Sequence, residues 1–548
     1  MLTGIARVAL AAPRRIIAVA LLVMVGTAVF GIPVTRSLSA GGFQDPTSQS
    51  AEAQKMLSDT FGQGDMELVV SVTSEAGAQS PQAVAAGTDI VRQLTNSPYV
   101  AQVNSVWTSP PSTAPALLSK DGKTGLIVAG ISGTESEAQQ RAKTLTSHMV
   151  HDRDGVTVKA GGEAMIYVQI NGQSERDLLL MESIAIPLSF VVLVWVFGGL
   201  LAAALPLAVG GFAILGSMAV LHAITFATDV SIFALNLTVA MGLALAIDYT
   251  LLIISRYRDE IADGAGRDEA LICTMATAGR TVLFSAMTVA LSMVAMVLFP
   301  MYFLKSFAYA GVAVVAFAAA AAIIVTPAAI VLLGDRLDSL DVRKLGRLLL
   351  GRPEPVNKAV EQTFWYRSTK FVMRHAIPVG IAVIALLMVL GAPFLSAKWG
   401  FPDDRVLPQS ASARQIGDSL RSDFAVDAAT NVTVVLPDIS GVTPEELSRY
   451  AAELSKVPDV SSVSAPGGNY VRGALAGPPS AATGVKDGRA FLTISSTAPL
   501  FTPASEDQLD RLHAVSPPAG DDTLLTGKRR STVTAARPSR RAFPPCWP

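Results

Sequence analysis

Cysteine is nearly missing from this 548-residue chain. Cys273 and Cys546 are the only two, too far apart in sequence to suggest a disulfide framework or a zinc-ligand spacing. Histidine is scarce as well, and the five present (His148, His151, His222, His375, His513) form no HExxH-type pair, which argues against a metal site. Charged residues make up only 16% of the chain and nearly cancel, leaving a formal net charge of −1 and no global attraction to nucleic acid. A GxxxxGK[ST] phosphate loop is also missing. Gly527-Lys528 has Asp522 where its first glycine belongs and lacks the following Ser or Thr. Neither a GxSxG elbow nor a dinucleotide fingerprint after a strand is evident. ATP hydrolysis and a bound cofactor are therefore not expected.

What is abundant is apolar sequence. Half of the residues are hydrophobic and the mean hydropathy is +0.44, values suited to a polytopic membrane protein carrying sizeable polar domains. Uncharged runs at Ile16–Val34, Ile184–Val196, Leu200–Ile224, Phe233–Ser255, Thr281–Phe299, Phe307–Leu333 and Ile377–Leu395 read as seven spans, the second starting a turn earlier near Met181. The first run follows Arg14 and Arg15 but is long for a signal peptide, and reads as an uncleaved anchor. Basic residues set the orientation. They flank the first span on its N-terminal side (Arg7, Arg14, Arg15) and fall between the fourth and fifth (Arg256, Arg258, Arg267, Arg280). The densest set runs from Arg336 to Arg374, whereas His222–Asp229 has none and Pro300–Ser306 only Lys305. This pattern places the N-terminus in the cytoplasm and both large domains outside the plasma membrane. The resulting plan is 1–34 for the N-terminus and first span, 35–180 for the first outer domain, 181–333 for spans two to six, 334–374 for a basic cytoplasmic loop, 375–396 for the seventh span and 397–527 for a second outer domain. That loop is read as topological, with anionic lipid contact as the other option.

Within 35–180 the order is strand Met66–Val72, helix Pro81–Leu94, strand Tyr99–Val106, strand Gly125–Ile131, helix Glu135–Val150 and strand Val156–Ala160. This β-α-β-β-α-β order suggests a small ferredoxin-like sandwich. An internal repeat follows. Gly42-Phe43-Gln44-Asp45 after the first span matches Gly400-Phe401-Pro402-Asp403 after the seventh. Ser50-Ala51-Glu52-Ala53 matches Ser410-Ala411-Ser412-Ala413, and Phe61 matches Phe424. The second outer segment repeats the order with strand Asn431–Leu436, helix Thr443–Leu454, strands Val460–Val463 and Ala490–Ser495, and helix Ser505–Val515. A parallel repeat of span plus domain points to a secondary transporter rather than an enzyme. From 528 to 548 the tail is basic, without acids or an apolar run. It reads as a chain cut short partway through a domain, by a frameshift for example, or as a disordered basic tail.

One residue stands out against the apolar background. Asp248, followed by Tyr249, lies inside the run Phe233–Ser255, and an ionisable group at membrane depth costs a few kcal/mol or more unless it faces a bundle interior or a wet cavity. A proton-titrating carboxylate with a hydrogen-bonding phenol is one reading, and a structural acid satisfied by neighbouring helices is the other. On the fifth span Thr281, Ser285, Thr288 and Ser292 fall on one helix face. They form a relay-adjacent polar stripe lining a hydrated path, or small-residue packing with hydroxyls bonded to backbone carbonyls. Asn236, three turns from Asp248, is a weaker candidate.

The stretches GLALAIDYTLLIISRYRDE (Gly242–Glu260), TAGRTVLFSAMTVALSM (Thr277–Met293) and Phe299-Pro300, with GGFQDPTSQSA (Gly41–Ala51) and GGEA (Gly161–Ala164), resemble the MMPL lipid exporters of actinobacteria, within the resistance-nodulation-division superfamily. The resemblance extends to about Gly527, with Ala244 and Thr250 where glycines are common. It implies an RND-type polytopic α-helical membrane protein with α+β extracytoplasmic porter domains, exporting lipids or lipid-like hydrophobic compounds by proton entry. In the family the Asp-Tyr pair takes part in the proton relay, which maps onto Asp248 and Tyr249, and the serine of the FSA motif beside it maps onto Ser285. Members carry a second Asp-Tyr pair in a second half that has no counterpart here. The expectation is thus an N-terminal portion that does not export lipid alone, with partners being the lipid substrate, protons, membrane lipids, and the missing half or other envelope proteins. The competing readings are a nonfunctional remnant of a disrupted gene, and a membrane scaffold or sensor binding lipid or partner proteins.

Overall fold

The computed structural model describes residues 1–63, 66–110, 114–153, 155–334, 336, 364–396, 402–424, 430–500, 502–518 and 523–527. Most of the basic loop 334–374, the Gly400-Phe401 copy of the repeat and the tail 528–548 lie outside the described residues. Two compact units emerge, one of Met1–Phe190, Ala204–Gly334 and Phe401–Pro548, the other of Val191–Ala203 and Asp335–Gly400.

Among the described residues, seven helices are long and apolar enough to cross a membrane. The chain opens with a short helix α1 (Leu2–Ala11), then α2 (Pro13–Gly31), started by Pro13 at its first position, where a missing N–H costs nothing. After α3 (Gln49–Met56) comes the first sheet domain: β1 (Met66–Thr73), α4 (Pro81–Thr95), β2 (Val100–Ser105), β3 (Thr124–Ile131), α5 (Glu135–Met149) and β4 (Thr157–Gly161). The membrane helices α6 (Gly162–Phe197), α7 (Leu200–Thr225), α8 (Phe233–Ala262), α9 (Arg267–Val294) and α10 (Tyr302–Leu333) follow. The second unit holds α11 (Phe364–Arg374) and the seventh apolar helix α12 (Ala376–Gly391), extended by a short turn to Ser396. The second sheet domain runs from α13 (Ser412–Asp423) through β5 (Val432–Leu436), α14 (Pro444–Leu454), β6 (Val460–Ala465), β7 (Gly468–Val471), β8 (Ala474–Gly477), β9 (Gly484–Lys486), β10 (Arg489–Ser496), α15 (Pro503–Ala514) and β11 (Leu524–Thr526).

The first sheet has the order β2-β3-β1-β4 with every pair antiparallel. Read from its opposite edge, the second has β6-β10-β5-β11 in the matching places, with the added strands β7 and β8 beyond β6, while β9 pairs β10. Capping explains where the helices start. Thr134 with Glu137, and Thr502 with Ser505, form reciprocal capping boxes at the equivalent helices α5 and α15, and Thr443 with Glu446 forms another at α14.

Both central strands are buried on both faces. Leu68, Val70 and Val72 of β1 pack with α4 and α5, whereas Val69 on the other face meets Ile416 of α13 and Phe424. In the second sheet Val432, Val434 and Leu436 pack with α14 and α15, whereas Val435 and Phe491 meet Ala53, Leu57 and Phe61. The two repeat copies therefore trade helices. The segment after α2 docks on the second sheet, with Ser50 and Thr526 hydroxyls 3.1 Å apart, and the segment before β5 docks on the first, where the Ser412 hydroxyl donates to Ala160 O at 2.7 Å. The paired positions Ala53 and Ala413 are each buried, on opposite sheets.

Helix α6 is longer than its apolar run. Its 36 residues rise about 54 Å, well beyond a ~30 Å hydrocarbon core. The first turns bury Ala164, Met165, Ile166, Tyr167 and Ile170 in the first sheet domain. Gly162 makes the sharp entry possible, with φ of +78° and no room for a Cβ, which would sit 2.7 Å from Glu67 O and Val69 N. In the bundle α10 is the most enclosed span. Its alanines, among them Ala308, Ala310, Ala318 and Ala322, allow α8 and α9 to approach closely. Helix α1, not foreseen as an element, lays Ala6 and Ala9 against α9 and α10.

Candidate functional site

Helix α8 has two distinct faces at the level of the acid. Thr238, Gly242, Ala246, Tyr249 and Ile253 are buried, and this face packs on α7 and α10. The contact is close because position 242 carries no side chain: a Cβ there would lie 2.6 Å from Ile214 Cγ1 and 3.1 Å from Val314 Cγ2. Ala240, Ala244 and Asp248 recur every four residues on the opposite face and are exposed. Asp248 sits midway along α8 with its carboxylate on the outside of this packing, while the adjacent Tyr249 is 2% exposed.

Tyr249 is among the largest fully buried side chains, yet its hydroxyl makes no hydrogen bond of normal geometry. The polar groups within its reach are the Ser285 hydroxyl of α9 and the Asp248 carboxylate. The structure thus gathers Asp248, Tyr249 and Ser285 at one level of the α8–α9 pair. A phenol with a carboxylate and a serine hydroxyl within reach can hydrogen-bond to either and pass a proton along such a chain. Buried polar groups are rarely left unpaired in a folded interior, so an unpaired phenol beside an acid marks the place for attention.

The rest of the α9 stripe is placed differently. Thr281 bonds to Thr277 O at 3.4 Å, Thr288 to Ser285 O at 2.8 Å and Ser292 to Val289 O at 3.0 Å, each within its own helix. All three are exposed, and Ser285 alone of the four turns toward Tyr249. Asn236, a turn into α8, is half-buried with an unpartnered Oδ1. Thr250, Thr274 and Thr326, on α8, α9 and α10, are fully buried with no hydrogen bond from their hydroxyls. No sequence signal singles out these threonines, since an isolated Thr in an apolar helix reads as packing.

A model described as the MMPL family matches residues 42–379. The trehalose monomycolate exporter MmpL3 of Mycobacterium tuberculosis is 27% identical over 542 residues, covering 93% of this chain and 56% of that protein. A membrane protein of Streptomyces coelicolor is 31% identical over 432 residues, covering 78% of this chain and 58% of its own length. The mycolic acid-containing lipids exporter MmpL11 of Mycolicibacterium smegmatis is 28% identical over 386 residues, covering 68% and 38%. The chain spans about half the length of these relatives.

Proposed function

The chain belongs to the MMPL family, and on that premise we propose that it serves the export of lipids or lipid-like compounds across the plasma membrane, driven by proton entry through Asp248 and Tyr249. The observation that carries this reading is the buried Tyr249 hydroxyl, which has the Asp248 carboxylate and the Ser285 hydroxyl within its reach midway along a membrane helix. A charge at that depth of a membrane helix is costly unless it faces a bundle interior or a wet cavity, and acids placed there commonly belong to proton pathways. Relatives named as lipid exporters support the substrate class. The distribution of Lys and Arg supports an N-terminus in the cytoplasm and both sheet domains outside.

In this mechanism Asp248 takes the proton and Tyr249 passes it toward Ser285. The first turns of α6 are buried in the first sheet domain, so this helix is the covalent link by which a shift in the membrane helices reaches that domain. Deleting the gene in its host and comparing extractable envelope lipids with those of cells complemented by the intact gene or by Asp248→Asn tests the reading. The expected result is a lipid retained inside the cell in the deletion strain and the Asn variant, with export falling about 100-fold, the scale of a lost proton-transfer group. Export at the normal rate with Asp248→Asn would overturn the relay, and restored envelope function without export in Asp248→Ala would favour a scaffold or sensor.

A further inference from the structure

A buried carboxyl lies at one end of the bundle, where α8 and α10 meet the first sheet domain. Glu135 is the first residue of α5, and its neighbours Thr134 and Glu137 are occupied with each other in the capping box. Its own side chain turns away from that box. Part of the residue stays open to solvent at the helix start, but the carboxyl end is packed among Gly41, Gly42 and Tyr302. One carboxyl oxygen, Oε2, accepts two hydrogen bonds, from the Tyr302 hydroxyl at 2.7 Å and from the Gly42 amide at 3.0 Å. The Tyr302 oxygen lies 2.9 Å from the Ser39 hydroxyl.

These bonds tie four parts of the chain into one knot. Phe303 N donates to Gly42 O at 3.1 Å, and Ile232 N donates to Ser39 O at 2.9 Å. Ser231 N donates to the Ser306 hydroxyl at 3.0 Å, which in turn donates to Tyr302 O at 2.6 Å. Phe43, Phe233 and Phe303 pack beneath, with ring centroids 4.8 to 6.0 Å apart. The two glycines are what let the carboxyl in. A Cβ on Gly41 would overlap the Glu135 carboxyl, and one on Gly42 (φ +91°) would lie 2.5 Å from the Tyr302 ring.

The carboxyl oxygen Oε1 accepts neither of the two bonds, and among the described residues Glu135 forms no ion pair. The charged groups acting on it are carboxylates: Glu163 from the first turn of α6 and Asp229 from the α7–α8 connection. From the other packed elements come the phenols Tyr302 of α10 and Tyr167 of α6. Glu137 of α5 acts on Asp229, and the segment 39–42 brings no titratable group. Enclosure first, and then these like charges, push the Glu135 carboxyl above the ordinary glutamate range, outweighing its two hydrogen bonds.

We propose that Glu135 is a second proton-binding site, separate from Asp248, and that its protonation latches the first sheet domain onto the adjoining ends of α8 and α10. The direction follows from linkage. An acid whose pKa is higher latched than open binds its proton more tightly when latched, so closing the latch takes up a proton. The cost of enclosing the charge is present above the raised value, falls away as pH drops through it, and stops changing below the ordinary glutamate value. The latch goes beyond the export reading and does not depend on it, since closure can be followed without transport.

Hydrogen exchange on the full chain in lipid nanodiscs, corrected for the pH dependence of chemical exchange, tests the latch through the amides of 39–43 and 303–306. Protection there is expected to rise as pH falls from neutrality toward the ordinary glutamate value, while the core amides of β1 and β3 stay constant. Glu135→Gln, neutral at all pH, is expected to keep this segment protected throughout, and Tyr302→Phe, which removes one donor to the ionised form, to move the midpoint upward. A wild type without pH dependence, or a Glu135→Gln variant that keeps it, would overturn the proposal. Infrared spectra supply a readout that does not depend on the variant's stability: a protonated-carboxyl band in the same pH range, lost in Glu135→Gln. A wild type without that band would also overturn it.

Discussion

At the scale of single residues, Asp248 and Tyr249 separate chemistry from packing. The Tyr249 hydroxyl is buried with no hydrogen bond of normal geometry, so removing it is expected to change stability little. Tyr249→Phe is therefore expected to keep the melting temperature in detergent near that of the wild type while proton-coupled lipid export is lost. A normal export rate in that variant would assign Tyr249 to packing alone. Asp248 is conspicuous in sequence because charge is rare in the run around it. That its carboxylate turns away from α7 and α10 while Tyr249 turns in depends on helix rotation, which alternation of apolar and small residues in GLALAIDYT does not resolve. Glu135 shows the opposite case. In sequence it is an ordinary acid in a first helical turn, where the helix dipole favours it. Only the fold brings Tyr302, 167 positions away, onto its oxygen.

At the scale of elements, the close approach of α8 to α7 and α10 positions the site, and one missing side chain makes it possible. Gly242→Val would place branched atoms against Ile214 Cγ1 and Val314 Cγ2, on two β-branched side chains with little room to turn aside. The expected outcome is a loss of about 1–3 kcal/mol of stability from overpacking. It should come with reduced export, because Tyr249 lies two turns along the same face. Thermal unfolding in detergent alongside a transport assay checks both; an unchanged melt would mean that the helices separate freely. The spans are legible as apolar runs, but the length of α6 is not. Its first half carries Gln169, Asn171, Gln173, Glu175 and Arg176, so hydropathy places the start near Met181 although the helix begins at Gly162. Those polar side chains are at work: Gln169 donates to the Ser412 hydroxyl at 2.7 Å and accepts from Ala413 N at 3.1 Å, fixing the start of α13 on the first domain.

At the scale of the whole molecule, the exchange of helices between the two sheet domains makes each depend on the other's sequence. Ile416 of α13 lies against Gly161, a Cβ on which would be 3.0 Å away, and packs with Val69 and Leu126 of the first sheet. Ile416→Ala is expected to cost about 2–4 kcal/mol. Hydrogen exchange should show the loss of protection in β1 and β4 of the first domain, although the substitution lies some 250 residues further along the chain than β4. Loss confined to the second sheet would contradict this coupling.

The sequence by itself determined the apolar helices, the order of strands and helices in the first domain, the part of that order repeated in the second without β7, β8, β9 and β11, and the repeated segment behind α2 and α12, because these follow from local periodicity and composition. Tertiary structure alone decided that each repeat copy docks on the other copy's sheet, since Ala53 and Ala413 are locally equivalent and either sheet offers an apolar face. It also decided which hydroxyl of the α9 stripe meets Tyr249 and where Glu135 ends up. Those are pairings between distant segments, set by how helices rotate and pack.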